Sequence, residues 1–158
     1  MESEDGFTLI ELLITVALIG ILGAIAVLNT PQMLNNYRAR GAARQIYSDM
    51  QMARLTAIKG GRSWCLIFNG STFTSYRIVD SGADGICNAG DTVDASGERS
   101  VEMTSEYKVE SLTHNFGGTN SLNFNPNGTA NGGTVTVTTA SKTMLVTVSN
   151  NTGSVRIQ

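Results

Sequence analysis

One histidine and two cysteines are all that the sequence offers toward a Cys/His metal site or a thiol nucleophile. That scarcity leaves no paired Cys/His metal motif, and there is neither a Gly-x-Ser-x-Gly elbow nor a glycine-rich phosphate loop. His114 stands alone, and a solitary histidine between strands is more often a surface or turn residue than a general base. These gaps point away from an enzyme. Charge is sparse too: 11 basic residues face 13 acidic ones, net −2. Glu2, Glu4 and Asp5 crowd the start, and the rest of the chain balances at 11 basic to 10 acidic. Such a balance supplies no basic excess to hold a nucleic acid. No internal repeat is visible.

Against that background one apolar stretch stands out. Residues 6–28, GFTLIELLITVALIGILGAIAVL, contain only Thr8, Glu11 and Thr15 besides apolar side chains and glycine. A helix over 7–28 would extend about 33 Å, enough to cross a bilayer's hydrocarbon core. A carboxylate inside such a span is costly, so Glu11 calls for a partner. The preceding MESEDG is too short and too polar for the n-region of a secretory signal, and no small-residue cleavage site follows the apolar run. An uncleaved anchor fits this hydropathy, and so does a cut on the cytoplasmic side between Gly6 and Phe7.

Proline is so rare that Pro31 carries weight. It removes one backbone donor and crowds the carbonyl four residues back, so a kink or local melting is expected near Val27. From 32 to about 58 a second helix is predicted, with Ala39, Ala42, Ile46, Met50, Ala53 and Ala57 as its apolar stripe and Gly60-Gly61 as its end. Arg38, Arg40 and Arg44 on this helix read as a solvated face. Beyond Gly61 short β-rich runs are predicted at 64–68, 73–80, 99–103, 107–112, 121–124, 134–139, 144–149 and 154–157. Asn69-Gly70, Pro126-Asn127-Gly128 and Asn131-Gly132-Gly133 mark turns between them. Since the strands do not alternate with helices, the fold class is α+β, an antiparallel sheet stacked on one long helix. Cys65 and Cys87 could close a loop of about 23 residues, and a disulfide is favoured over two buried thiols. Asp80, Asp84 and Asp91 imitate the spacing of a calcium loop, with Asp94 nearby. Gly82 and Asp91 depart from the ligand pattern at its third and twelfth positions, and an Asp/Gly-rich surface turn is the commoner explanation for such a stretch.

The octapeptide Gly6-Phe7-Thr8-Leu9-Ile10-Glu11-Leu12-Leu13 resembles the class III signal of type IV pilins and of the pseudopilins of type II secretion. The resemblance implies cleavage by a prepilin peptidase after Gly6, methylation of the new amine on Phe7, and a role for Glu11 in neutralising the N-terminal amine of a neighbouring subunit. The leader departs from the family in carrying acids where Lys or Arg is usual. Positive-inside counting over Arg38, Arg40 and Arg44 would put the C-terminal part in the cytoplasm. The cleavage motif outweighs that count, because those arginines belong to the next predicted helix. The ending, from the Phe124 to Thr129 phrase through Gly153-Ser154-Val155-Arg156, is similar to the GspH/FimT minor pseudopilin branch. Some DNA-uptake members of that branch end in Gly-Arg-x-Arg. Here Arg156 alone remains, too little for an affinity built on several phosphate contacts.

The expected protein is therefore a non-enzymatic filament subunit with a type IV pilin-like fold. Its segments are a leader at 1–6, a transmembrane or assembly half-helix at 7–30, an amphipathic half-helix at 31–60 and a β-rich domain at 61–158. A minor pilin or pseudopilin is the first reading, a major structural pilin the second and a DNA-binding minor pilin the third. Its partners would be other pilins, the prepilin peptidase and an inner-membrane assembly platform. It would reside as a single-pass inner-membrane protein, β domain periplasmic, before entering a pseudopilus or pilus. No cofactor is required, calcium at the Asp80 loop being the one candidate ligand. The presence of Glu11 favours a subunit with another docked above it, since family members that cap a tip often lack this carboxylate.

Overall fold

The structure, a computed structural model, describes residues 7–28, 30–68, 74–82, 85–88, 91, 93, 97–117 and 120–158, without the side chains of 26–30. The chain divides into two compact units, Met1–Leu34 and Asn35–Gln158. In the first unit, α1 covers Leu9–Leu28. The second helix, α2, covers Thr30–Gly60 and passes into the second unit. Pro31 lies within the described part of α2. The kink or melting expected near Val27 adjoins Asn29, which lies outside the described residues. Among the described residues no helix is long and apolar enough to cross a membrane.

In the second unit, Ala39, Ala42, Ile46, Met50, Ala53 and Ala57 of α2 are all fully buried, the stripe that the three- and four-residue spacing predicts. Four alanines on that stripe let the helix lie close to the strands beneath it. Gly61 follows in the left-handed region, φ 63°, and ends the helix as the Gly-Gly pair predicts.

Among the described residues eight strands follow: β1 Trp64–Phe68, β2 Ser75–Asp80, β3 Arg99–Glu102, β4 Ser111–His114, β5 Ser121–Phe124, β6 Gly133–Thr139, β7 Lys142–Val148 and β8 Val155–Ile157. They form two antiparallel sheets rather than one, in the orders β3-β2-β1-β5 and β4-β6-β7-β8. The switch between sheets is local. The strand predicted over 107–112 begins only at Ser111, because the chain first makes a short helix, α3, at Met103–Tyr107, capped by Lys108 in the left-handed conformation at φ 51°. That turn carries the chain out of the first sheet and delivers β4 to the second. Tyr107 then lies against α2 at Gly41, where an added Cβ would come within 2.9 Å of the ring and would require the ring to shift. The turn residues Asn69 and Gly70 lie outside the described residues, but the strands they connect pair antiparallel as expected, Phe68 opposite Tyr76.

One core joins α2 to both sheets. Leu66, Phe68, Tyr76, Ile78, Leu122 and Phe124 come from the first sheet, and Leu112, Val135, Val137 and Val146 from the second. Full burial of one such aliphatic or aromatic side chain stabilises by about 1.5–3 kcal/mol. In β6 the alternation is plain: Val135 and Val137 point in, while Thr134 and Thr136 are only half-buried. By contrast, all five residues of β1 are buried. Its second face, Cys65 and Ile67 with Val79 of β2, forms a small separate cluster against Cys87.

The disulfide between Cys65 and Cys87 is formed, with Cα atoms 6.0 Å apart. It holds the segment carrying Cys87 over the outer face of β1, which explains why WCLIF is hydrophobic throughout instead of alternating. Closing a loop across a sequence separation of 22 should stabilise the fold by about 3 kcal/mol. The urea midpoint of the second unit is expected to drop on reduction and alkylation, and to drop equally in the Cys65→Ala/Cys87→Ala variant. An unchanged midpoint in both would mean that the loop's packing, not the crosslink, holds it down.

Candidate functional site

Along α1 no described side chain is buried. Large apolar side chains from Phe7, 92 % exposed, through Ile25 stand in the open on every side of the helix. An uncovered apolar surface of this extent is a mark of an interaction site, for lipid, for other helices or for both. Gly20 and Gly23 have nothing within 4 Å of a built Cβ, so their small size answers to nothing inside the chain itself.

The single carboxylate of α1 is engaged at the helix start. Glu11 Oε2 accepts from the backbone N–H of Thr8 at 2.9 Å and from the Thr8 hydroxyl at 2.8 Å, and the Thr8 hydroxyl oxygen accepts from Glu11 N–H at 3.3 Å. This reciprocal arrangement is a capping box, and its sequence signature, Thr-x-x-Glu ahead of an apolar run, is legible at 8–11. The sequence reading missed it. In the isolated chain the partner of Glu11 is therefore its own Thr8, and the carboxylate stays exposed and able to exchange that partner for another.

The remaining candidates are scattered. Gly6, one side of the expected cleavage bond, lies outside the described residues, while Phe7 on the other side is fully open. Asp84 and Asp94 also lie outside them. Of the other two loop acids, Asp80 Oδ1 accepts from Gly82 N–H at 2.6 Å and Oδ2 stands 3.8 Å from Arg62. Asp91 Oδ2 accepts from Asn88 N–H at 2.9 Å. Both carboxylates thus serve their own loop, and among the described residues no three potential ligands gather. Arg156 is exposed on β8, opposite Thr147 of β7. His114 differs from the surface or turn residue expected: it is half-buried on β4, stacked on Phe116 at 4.9 Å and beside Phe68 at 5.3 Å. Burial there holds its imidazole below the usual histidine range.

The most consequential polar group went unnoticed in the sequence. Asp49 is fully buried on α2. It accepts from the Tyr76 hydroxyl at 2.6 Å and from Gln45 Nε2 at 3.2 Å, and it pairs with the Arg99 guanidinium. Burial, reinforced by the Asp49 carboxylate, pushes the Tyr76 phenol far above its ordinary range, so it remains a donor. The network ties α2 to β2 and to the edge strand β3. A signal was there to read: Asp49 follows Ile46 by three and precedes Ala53 by four, so it sits on the apolar face of the helix. A second tie is made by Arg54, which donates to the carbonyls of Gly128 at 3.1 Å and Thr152 at 2.9 Å. These ties hold the scaffold together and do no chemistry of their own.

Comparison with known proteins accords with this picture. The family profile described as Type II transport protein GspH matches residues 42–153. The profile described as Prokaryotic N-terminal methylation motif matches residues 1–27. The Type IV major fimbrial protein FimA of Dichelobacter nodosus is 37 % identical over 115 residues, covering 71 % of this chain and 68 % of that protein. Among solved structures, the minor pseudopilin EpsH from the Type 2 Secretion System of Vibrio cholerae superposes with a TM-score of 0.60 at 15 % identity, over 77 % of this chain and 96 % of that one. The type IV minor pilin FimU of Pseudomonas aeruginosa gives 0.60 at 15 % identity, over 78 % and 90 %. At such low identity these two likenesses speak for the fold, which is the pilin-like α+β arrangement expected from the sequence.

Proposed function

The chain belongs to the GspH family within the type IV pilins and pseudopilins, structural subunits rather than enzymes, and from that membership we propose that it is a minor pilin or minor pseudopilin. The observation that carries this reading is the match of its β-rich unit to the GspH profile over residues 42–153. In this account the prepilin peptidase cuts after Gly6 and Phe7 is methylated. Residues 7–30 store the subunit in the inner membrane as a single pass, with residues 61–158 on the periplasmic side. An inner-membrane assembly platform then lifts it into a filament with other pilins. The open apolar surface of α1 supports this sequence of events, since packing half-helices together in a shared filament core would cover it. Glu11 would there give up Thr8 for the amine of a neighbouring Phe7.

A second reading, a major structural pilin, draws on the 37 % identity to a major fimbrial protein. A DNA-binding role has only Arg156 in its favour. The composition of sheared, purified filaments separates the first two readings. A minor subunit is expected as a faint band beside a dominant pilin, and its deletion should reduce filament number without changing the main band. Finding this chain as the dominant polymer would overturn the minor-subunit reading.

A further inference from the structure

The outer face of the second sheet carries hydroxyl groups almost to the exclusion of charge. Along it Thr134, Thr147 and Arg156 lie side by side on β6, β7 and β8, and the two threonine hydroxyls are 3.2 Å apart. At the β7–β8 end this face deepens into a groove of about 450 Å³ lined by Thr147, Ser149, Thr152, Ser154, Arg156 and Gln158. Every lining side chain is polar, and only Arg156 is charged. It makes no ion pair among the described residues. The groove is also built on a fixed floor. The turn at Thr152 is drawn to α2 by Arg54, and Gly153, at φ 58°, sits where an added Cβ would collide with the Gly128 carbonyl.

We propose that this groove binds a segment of acidic polysaccharide, with the Arg156 guanidinium pairing with a sugar carboxylate and the hydroxyls of Thr147 and Ser149 exchanging hydrogen bonds with sugar hydroxyls. The argument rests on matching charge density. A lone guanidinium among four hydroxyls and an amide complements a polymer that is mostly hydroxyl with a carboxylate at intervals. A nucleic acid carries a phosphate at every nucleotide and needs several cations along its path, which this face does not provide. An added peptide strand would need a longer open edge than the three residues of β8. With a net charge of −2 over the whole chain, unspecific attraction of a polyanion is disfavoured, so binding would have to be local.

The test uses the full chain in non-ionic detergent micelles and immobilised polygalacturonate, with neutral dextran and a single-stranded oligothymidylate as the other two matrices. Retention is expected on polygalacturonate alone. Affinity should fall about tenfold in Arg156→Gln and by a few-fold in Thr147→Val. It should not change in Arg62→Gln, whose arginine lies beside Asp80 away from the groove. The logarithm of affinity should fall with the logarithm of salt at a slope near about −1, that of a single ion pair. Absence of retention, undiminished binding by Arg156→Gln, equal loss in Arg62→Gln, or tighter binding to the oligothymidylate would each overturn the proposal. An unchanged thermal midpoint in the variants keeps any loss of affinity from being a folding effect.

Discussion

Asp49→Ala is expected to destabilise the Asn35–Gln158 unit by about 3 kcal/mol in urea unfolding, the lower end of what removing one partner of a buried ion pair costs. The variant leaves the Tyr76 hydroxyl and Gln45 amide without their acceptor inside the core, while Arg99, about 45 % exposed, can turn to water. Against a total stability on the order of 5–15 kcal/mol, that loss is large. Arg99→Met should cost at least as much, because it strands a fully buried carboxylate with only neutral donors. Tyr76→Phe removes one hydrogen bond and should cost about 1–2 kcal/mol. The pair Asp49→Leu/Arg99→Met should then be more stable than the sum of its single changes predicts, since neither partner is left uncompensated. Strict additivity of the two single effects would mean that the contact between them is incidental. The unit can be studied by itself because its core is drawn wholly from its own residues.

The second large effect concerns assembly. Glu11→Gln is expected to reduce incorporation into filaments at least about tenfold, equivalent to 1.4 kcal/mol of lost docking free energy, while leaving membrane association intact. Glutamine keeps an oxygen acceptor for Thr8 and therefore the capping box, so the substitution removes the charge and little else. Thr8→Ala does the reverse. It removes the cap, at a cost of about 0.5–2 kcal/mol to the helix start, but keeps the carboxylate, and near-normal incorporation is expected. Immunoblots of sheared filaments, with the membrane fraction as the control, read both variants. Normal assembly of Glu11→Gln together with failure of Thr8→Ala would reverse the assignment and make helix capping the function of this pair. Glu11→Ala, which loses both features, cannot tell the two apart and serves only as a reference.

Where the sequence could be read correctly, the signal was local. The helix stripe from Ala39 to Ala57 follows from a 3.6-residue period, and the end of α2 from a glycine pair. Most strands of the second unit follow from β-branched residues between turn formers. The motif around Gly6 and Phe7 is likewise a contiguous string, so the family resemblance is carried within one short window. The strand expected over 107–112 starts only at Ser111: Tyr107 and Val109 have strand-like propensity, whereas packing of Tyr107 on Gly41 and the left-handed Lys108 go with a short helix and a turn. Local propensity of that size, within about 1 kcal/mol per residue, yields readily to tertiary contact.

What the sequence by itself determined is an apolar helix with one carboxylate, an amphipathic helix after it and a set of antiparallel strands, since each depends on periodicity within a short window. Only the tertiary structure decided that the strands part into two sheets, that β1 is covered on both faces beneath the disulfide-held segment, and that Asp49, Tyr76 and Arg99 meet. Those groups are separated by 27 and 50 positions in the chain. A buried charge becomes tolerable only when its partners arrive from distant segments, and no local window contains both the charge and what compensates it.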